Sequence, residues 1–267
     1  METIFAALAA QFPPLEAARE DGLLCFGGDL RPERLLAAYS RGIFPWYEAG
    51  QPILWWSPNP RCVLPLEDFR LPARSARALR QKPFELTLDA AFGRVIRACA
   101  QARTPHGGTW LTPAMIEAYD RLHALGFAHS VEAWRDGELA GGLYGVGFGR
   151  VFFGESMFHV VSEASRAALA GLVGLLRLRG VTLLDCQQET PHIMKMGGVL
   201  LPREVFMQRL RQALAPPADA EPGVGLPSTE HVICGNAIHK VTDEQVWQPW
   251  RERYDYSLSS GAWASRS

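Results

Sequence analysis

The chain has 267 residues, 48% apolar and 21% charged, with a net charge of −1. This composition supports a sizeable core in one large or two small domains, and it excludes a mainly disordered, collagen-like or coiled-coil protein. So small a net charge carries no overall basic field, and apolar runs such as 181–184 are far too short to span a membrane.

The opening METIFAALAAQFPP has an apolar patch with no basic segment before it, a poor secretory signal. Five scattered cysteines without a CxxC fit a reducing cytoplasm better than a disulfide framework or a structural zinc site. Residues 21–40 open with a turn, LLCFGGDL, and continue as a helix, PERLLAAYS, which Gly42 closes. The stretch IFPWYEAGQPILWWSPNPR then carries four prolines and three tryptophans. Its proline density argues against a regular element, and its aromatics argue for a loop that is packed or lines a pocket.

Charge is uneven. Residues 61–104 carry nine basic and four acidic side chains, whereas 1–60 and 216–267 are each net −3. The excess gathers at Arg70, Arg74, Arg77, Arg80 and Lys82, and spacings of three and four put the arginines on one helix face. Such a stripe reads either as a solvated face or as a phosphate-binding one. Asp89 is placed to cap a helix that buries Phe92, Val95, Ile96 and Cys99. Thr112–Pro113 starts the next, with Met115, Ile116, Tyr119, Leu122 and Leu125 in period and Gly126 at its end.

From residue 129 the rhythm changes. HSVEAWR and ELAGGLYGV flank the two-residue turn Asp136–Gly137, and VFFGE makes a third strand. A helix follows over 162–179, capped by Ser162 and stopped by Gly180. VTLLDCQ is the fourth strand, and an amphipathic helix after Pro202 carries Val205, Phe206, Leu210 and Leu214. The order β-β-β-α-β-α predicts an antiparallel meander ending in one right-handed crossover, an α+β domain. Expected boundaries are an N-terminal domain at 1–62, a larger domain at 63–213 with a basic helical region at 70–103, a linker at 214–227 and an appendage at 228–267.

Parallel strands joined by a helix end on the same side of a sheet. Glu155 closes VFFGE, and Asp185 and Gln187 close VTLLDCQ, two apart on one face of an extended segment. Three polar groups therefore converge where open sheets often bind ligands. The plainer alternative has Glu155 capping a turn and Asp185 in a buried ion pair. Cys186 alternates away from them and reads as core. Leu169, Leu172 and Leu176 face the sheet at helical spacing, with Leu143, Phe152 and Leu184 opposite. Most such stripes are plain core, and an apolar side-chain pocket would be built from the same six residues. Seven dispersed histidines form no metal motif, and the glycine-rich GLYGVGFG lies inside hairpins, where no nucleotide loop sits.

Seven motifs follow one another within residues 12–211: FPPLEAAREDGLLCFGGDL, RGIFPWY, PILWWSPNPR, GTWLTPAMIEAYDRLHALGFAHSVEAW, GGLYGV, FFGESMF and LLDCQ. In that order the chain resembles the bacterial leucyl/phenylalanyl-tRNA–protein transferases. The resemblance implies an α+β fold, with a smaller N-terminal α/β domain followed by a catalytic domain like the GCN5-related N-acetyltransferases. It implies transfer of leucine or phenylalanine, less readily methionine, from aminoacyl-tRNA to an N-terminal arginine or lysine of a protein. The product would go to the adaptor-dependent Clp protease. The expected partners are aminoacyl-tRNA and such acceptor proteins. The protein is expected to be a cytoplasmic monomer with no membrane association, and to need neither metal nor other cofactor, since the aminoacyl ester is already activated.

By the same resemblance, Glu155 meets the acceptor amine, and Asp185 with Gln187 activates or positions it. Trp46 and Trp110 stack on the terminal adenosine, and Leu143, Phe152, Leu169, Leu172, Leu176 and Leu184 form the pocket for the donor side chain. Arg74, Arg77, Arg80 and Lys82 hold the tRNA acceptor stem. Two positions depart from the family pattern: Lys195 replaces a small residue, and Arg166 stands where lysine is common. Three other readings compete. A coenzyme A-dependent N-acetyltransferase lacks its glycine-rich turn here, where the chain reads MFHVVSEASR. A tRNA-binding module would not need the three polar residues, and a transferase for acidic N-termini rests on Lys195 alone.

Overall fold

The computed structural model describes residues 11–103 and 110–215, together with two short strands near the C-terminus. After a single 3-10 turn at Leu15–Ala17, the N-terminal part forms β1 (Leu23–Phe26), α1 (Pro32–Tyr39), β2 (Phe44–Pro45) and β3 (Leu54–Trp56). The three strands make an antiparallel sheet in the order β1-β3-β2. The turn expected at LLCFGGDL is thus a strand, and the chain turns only at Gly27 and Gly28, both with positive φ. The proline-rich stretch also carries regular structure, in the form of β2, β3 and β4 (Arg61–Val63). These strands are only two or three residues long. Pro45 sits on an edge strand, where a missing donor costs the sheet little.

A second sheet has seven strands in the order β10-β4-β9-β8-β7-β6-β5. In chain order its parts are β4, α2 (Ala73–Gln81), β5 (Glu85–Leu88), α3 (Phe92–Arg103), α4 (Pro113–Ala124), β6 (Ala128–Arg135), β7 (Glu138–Phe148), β8 (Val151–His159), α5 (Ala164–Leu178), β9 (Leu183–Gln187), α6 (Pro191–Met194), β10 (Val199–Leu201) and α7 (Arg203–Leu214). The expected order is present as β6-β7-β8-α5-β9-α7, with α6 and β10 inserted before the last helix. All neighbours run antiparallel except β8 and β9, which the crossover through α5 makes parallel. The architecture is α+β, with a small three-stranded sheet in the N-terminal part and a mixed seven-stranded sheet in the larger part. The sheet reaches back to β4, so the boundary expected between 62 and 63 falls inside a strand, and the basic region 70–103 has β5 between its two helices.

Alternate residues of each strand feed opposite faces. Phe153, Tyr144 and Val146 join a cluster with α1, α3, α4 and α7, while Phe152, Leu143 and Leu184 join one with α5. Two expected caps are replaced. The Asp89 carboxylate accepts from the Ser130 N–H at 2.8 Å and contacts His129 Nδ1 at 2.7 Å, and Glu132 accepts from Ala91 N–H at the head of α3. At α5 the N-cap is Glu163, in a left-handed conformation, and not Ser162. The expected Thr112 cap and the stops at Gly42, Gly126 and Gly180 are present. Beyond residue 215, the linker at 214–227 and the appendage at 228–267 lie outside the described residues, apart from the hairpin of β11 (Val232–Cys234) and β12 (Ala237–His239). Among the described residues no helix is long and apolar enough to cross a membrane.

Candidate active site

The site is built on two β-bulges. On β8, Ser156 pairs with Tyr144 and Gly154 with Gly145, which leaves Glu155 as the extra residue. On β9, Gln187 pairs with Cys62 and Asp185 with Val63, which leaves Cys186 extra. A bulge bends its strand and re-aims the side chains around it. Gly145 is required at the first bulge, since a Cβ there would run into the Phe153 carbonyl and the Phe152 ring. The pairing of β8 with β9 ends at Phe153–Asp185, and past it the strands are joined by side chains.

Glu155 therefore lies inside β8, which continues to His159, and not at the end of a strand. Its buried carboxyl group accepts from Gln187 Nε2 at 2.7 Å and lies at hydrogen-bond distance from Tyr39 Oη, 2.8 Å, and Tyr119 Oη, 2.9 Å. Burial pushes its pKa up to about 7, against the lowering effect of the two phenols. Burial and the neighbouring Glu155 raise both phenols well above their ordinary value.

Asp185 is fully buried and forms an ion pair with Arg61, the alternative that the sequence left open. Its Oδ1 also accepts from the Gln187 backbone N–H at 2.8 Å. Gln187 has φ +64, so Asp185 and Gln187 do not share one face of an extended segment. Asp185 holds the Gln187 main chain and makes no bond to its amide. The Arg61 guanidinium lies between the Phe44 and Phe206 rings and donates through Nη1 to the Gly42 carbonyl at 3.0 Å. One buried cation thereby ties the turn after α1, helix α7 and strand β9 together.

Neither nearby thiol is an activated nucleophile. Burial pushes Cys62 up to about 11 and holds Cys186 well above its ordinary value. Leu143, Phe152, Leu169, Leu172, Leu176 and Leu184 are all buried in one cluster, on the α5 face of the sheet. Glu155 and the Arg61–Asp185 pair face the other side, toward α1, α4 and α7. Trp46 is 40% exposed and stands edge-on to Trp56, while Trp110 is buried. Their segments are linked through Tyr47 Oη and Thr112 Oγ1, 3.3 Å apart. Arg74, Arg77 and Arg80 on α2 are exposed, as is Lys82 just after it. Lys195 is exposed at the end of α6, and Arg166 pairs with Glu163 at 2.8 Å.

The structure thus brings Glu155 and Gln187 together, sets Asp185 behind them, and adds Arg61, Tyr39 and Tyr119, which the sequence reading passed over. The phenols sat inside apolar helical stripes and looked like core. A buried tyrosine still needs a partner for its hydroxyl, and that was the available signal. Arg61, a lone charge beside the apolar run CVLPL, carried a similar one.

Comparison with known proteins gives matches over both parts of the chain. The model of the leucyl/phenylalanyl-tRNA protein transferase family matches residues 63–211, and that of its N-terminal domain matches 28–59. The leucyl/phenylalanyl-tRNA–protein transferase of Desulfatibacillum aliphaticivorans is 58% identical over 204 residues, 76% of this chain and 88% of its own. That of Syntrophotalea carbinolica is 53% identical over 218 residues, 81% of this chain and 95% of its own. That of Nitratidesulfovibrio vulgaris strain DP4 is 54% identical over 211 residues, 79% and 90% respectively. At this level of identity, over nearly the whole length of its relatives, the chain belongs to the leucyl/phenylalanyl-tRNA protein transferase family.

Proposed function

We propose that this chain, as a leucyl/phenylalanyl-tRNA–protein transferase, places leucine or phenylalanine, and less readily methionine, on the N-terminal arginine or lysine of a protein. The product is thereby marked for N-degron proteolysis. The reading gives it a cytoplasmic, monomeric life with aminoacyl-tRNA and acceptor proteins as partners. The observation that carries it is the Gln187–Glu155 contact at 2.7 Å, where a buried acid and an amide meet past the end of a parallel strand pair.

An aminoacyl ester is already activated, so catalysis reduces to placing amine and ester and moving one proton. Placement alone is worth roughly 7–11 kcal/mol. The acceptor amine, with a reference pKa of about 8, arrives mainly as an ammonium ion. Ionised Glu155 orients it. Gln187 spends its Nε2 on Glu155, which leaves its amide oxygen to accept from the attacking nitrogen. The ammonium group first gives up one proton to solvent, the neutral nitrogen attacks the ester carbonyl, the C–N bond forms and the C–O bond to the ribose 3′ oxygen breaks. A proton from nitrogen goes to that oxygen. Asp185 acts through the Gln187 backbone, as a positioning residue.

In this reading Trp46 and Trp110 stack on the terminal adenosine, at roughly 1–3 kcal/mol per base. Leu143, Phe152, Leu169, Leu172, Leu176 and Leu184 receive the donor side chain, and Arg74, Arg77, Arg80 and Lys82 hold the acceptor stem. The test is a transfer assay with radiolabelled leucyl-tRNA and peptides that begin with arginine, lysine, aspartate or alanine. Transfer to arginine and lysine alone is expected. Transfer to aspartate would overturn the acceptor rule and direct attention to Lys195.

A further inference from the structure

Three oxygen contacts close a triangle around Glu155. Tyr39 Oη is 2.8 Å from Oε1, Tyr119 Oη is 2.9 Å from Oε2, and the two phenols are 2.5 Å apart. Each contact is a hydrogen-bond distance and needs one proton between its oxygens. The phenols supply two. If both are given to an ionised carboxylate, the phenol–phenol contact is left with lone pairs facing each other, which is repulsive. A third proton on the carboxyl satisfies all three contacts at once.

Gln187 sets the direction of the ring. Oε1 accepts from Gln187 Nε2 as well as from Tyr39, so it is the carbonyl oxygen. Oε2 then carries the hydroxyl and donates to Tyr119, Tyr119 donates to Tyr39, and Tyr39 donates to Oε1. We propose that Tyr39 and Tyr119 are positioning residues that close a three-proton ring with Glu155, so that the free site stores a proton on the carboxyl and releases it when an ammonium group takes its place. The proposal rests on the reading of Glu155 as the residue that meets the acceptor amine. The step balances simply: the proton leaves Oε2 for solvent, the ammonium N–H groups replace it, and no covalent bond other than O–H breaks.

The groups that face the ring agree with this. Tyr39 comes from α1, Tyr119 from α4, Gln187 and Asp185 from β9, Arg61 from β4, and Tyr144 stands edge-on to Tyr119 from β7. The cation among them, Arg61, directs Nε and Nη2 at Asp185 and does not contact Glu155. Burial of Glu155 also favours its neutral form.

The experiment is infrared spectroscopy of the free full-length protein, following the carbonyl stretch of a protonated carboxylic acid as pH is varied. A band at slightly acidic pH that is absent from Glu155→Gln is expected. In Tyr39→Phe and Tyr119→Phe the opened chain no longer needs a third proton, so the midpoint should fall by about one unit, tenfold in proton affinity. Phenols that merely donate to a carboxylate predict the reverse, and a midpoint that rises would overturn the ring. So would the absence of the band from the unsubstituted protein, a comparison that does not depend on either phenylalanine variant folding. A peptide that serves as acceptor in the transfer assay should abolish the band, and its persistence would overturn the release step. The spectrum of the free protein needs neither tRNA nor peptide, so a failed acceptor rule and a failed ring are told apart.

Discussion

Arg61 on β4 grips Asp185 on β9 through two parallel hydrogen bonds, Nε to Oδ1 at 2.9 Å and Nη2 to Oδ2 at 2.7 Å, with both side chains sealed from water. The forked guanidinium matches the carboxylate edge, and its faces are covered by Phe44 and Phe206. The pair stands directly behind Gln187, so the geometry of the site depends on a charge contributed 124 residues away.

Removing one partner of such a pair leaves a buried charge uncompensated. Arg61→Met should lower stability by about 3–5 kcal/mol in urea denaturation. Combining it with Asp185→Leu should restore most of that loss, because an apolar pair fills the same space without a charge. Single-turnover transfer should stay low in the double variant, since Gln187 loses its backbone anchor. A double variant that transfers at the original rate would take the pair out of the site.

Glu155 makes stability depend on pH in a definite direction. Its folded pKa of about 7 lies above the ordinary value of 4.5, so the folded state binds the extra proton between these limits. The stability from this group is full below about pH 4.5 and is lost as pH rises through about 7. The difference amounts to about 3 kcal/mol. Denaturation of the protein and of Glu155→Gln at pH 5 and pH 8 checks this. The unsubstituted protein should lose more stability on going to pH 8 than the variant does, and equal losses would contradict the assignment.

Asp185→Asn and Gln187→Ala should reduce turnover more than they weaken leucyl-tRNA binding. Neither residue is assigned to the tRNA body, and both set the place of the attacking nitrogen. Single-turnover rates beside equilibrium tRNA affinities make the comparison. Parallel losses in the two quantities would argue against a positioning role.

The exposed arginines of α2 predict a salt effect. Arg74→Glu with Arg77→Glu should weaken tRNA binding and flatten the plot of log affinity against log salt by about one unit or more per residue, since each phosphate contact releases condensed counterions. An unchanged slope would remove this helix from the footprint.

Much of the architecture was legible in the sequence because it is locally encoded. The Asp136–Gly137 turn, the Thr112 cap and the glycine stops after α1, α4 and α5 each follow from the conformational preference of one or two residues. The apolar stripes of α3 and α4 follow from helical period. The crossover implied by the element order puts Glu155, Asp185 and Gln187 on adjacent parallel strands. The short strands β2, β3 and β4 escaped because their stability comes from partners along the sheet and not from their own residues.

What only the tertiary structure decided is how the buried polar atoms are shared. The bulges at Glu155 and Cys186 are set by pairing with β7 and β4, so alternation within β8 and β9 alone places the side chains wrongly. Tyr39 lies 116 residues from Glu155 and Tyr119 lies 36 away, and neither spacing is a period of any regular element. The sequence alone thus determined the longer helices, the order β6-β7-β8-α5-β9-α7 and the family. The partners of Glu155, Asp185 and Gln187 were chosen by the cost of leaving a charge or a hydroxyl unpaired away from water, a cost that appears only once distant segments are packed together.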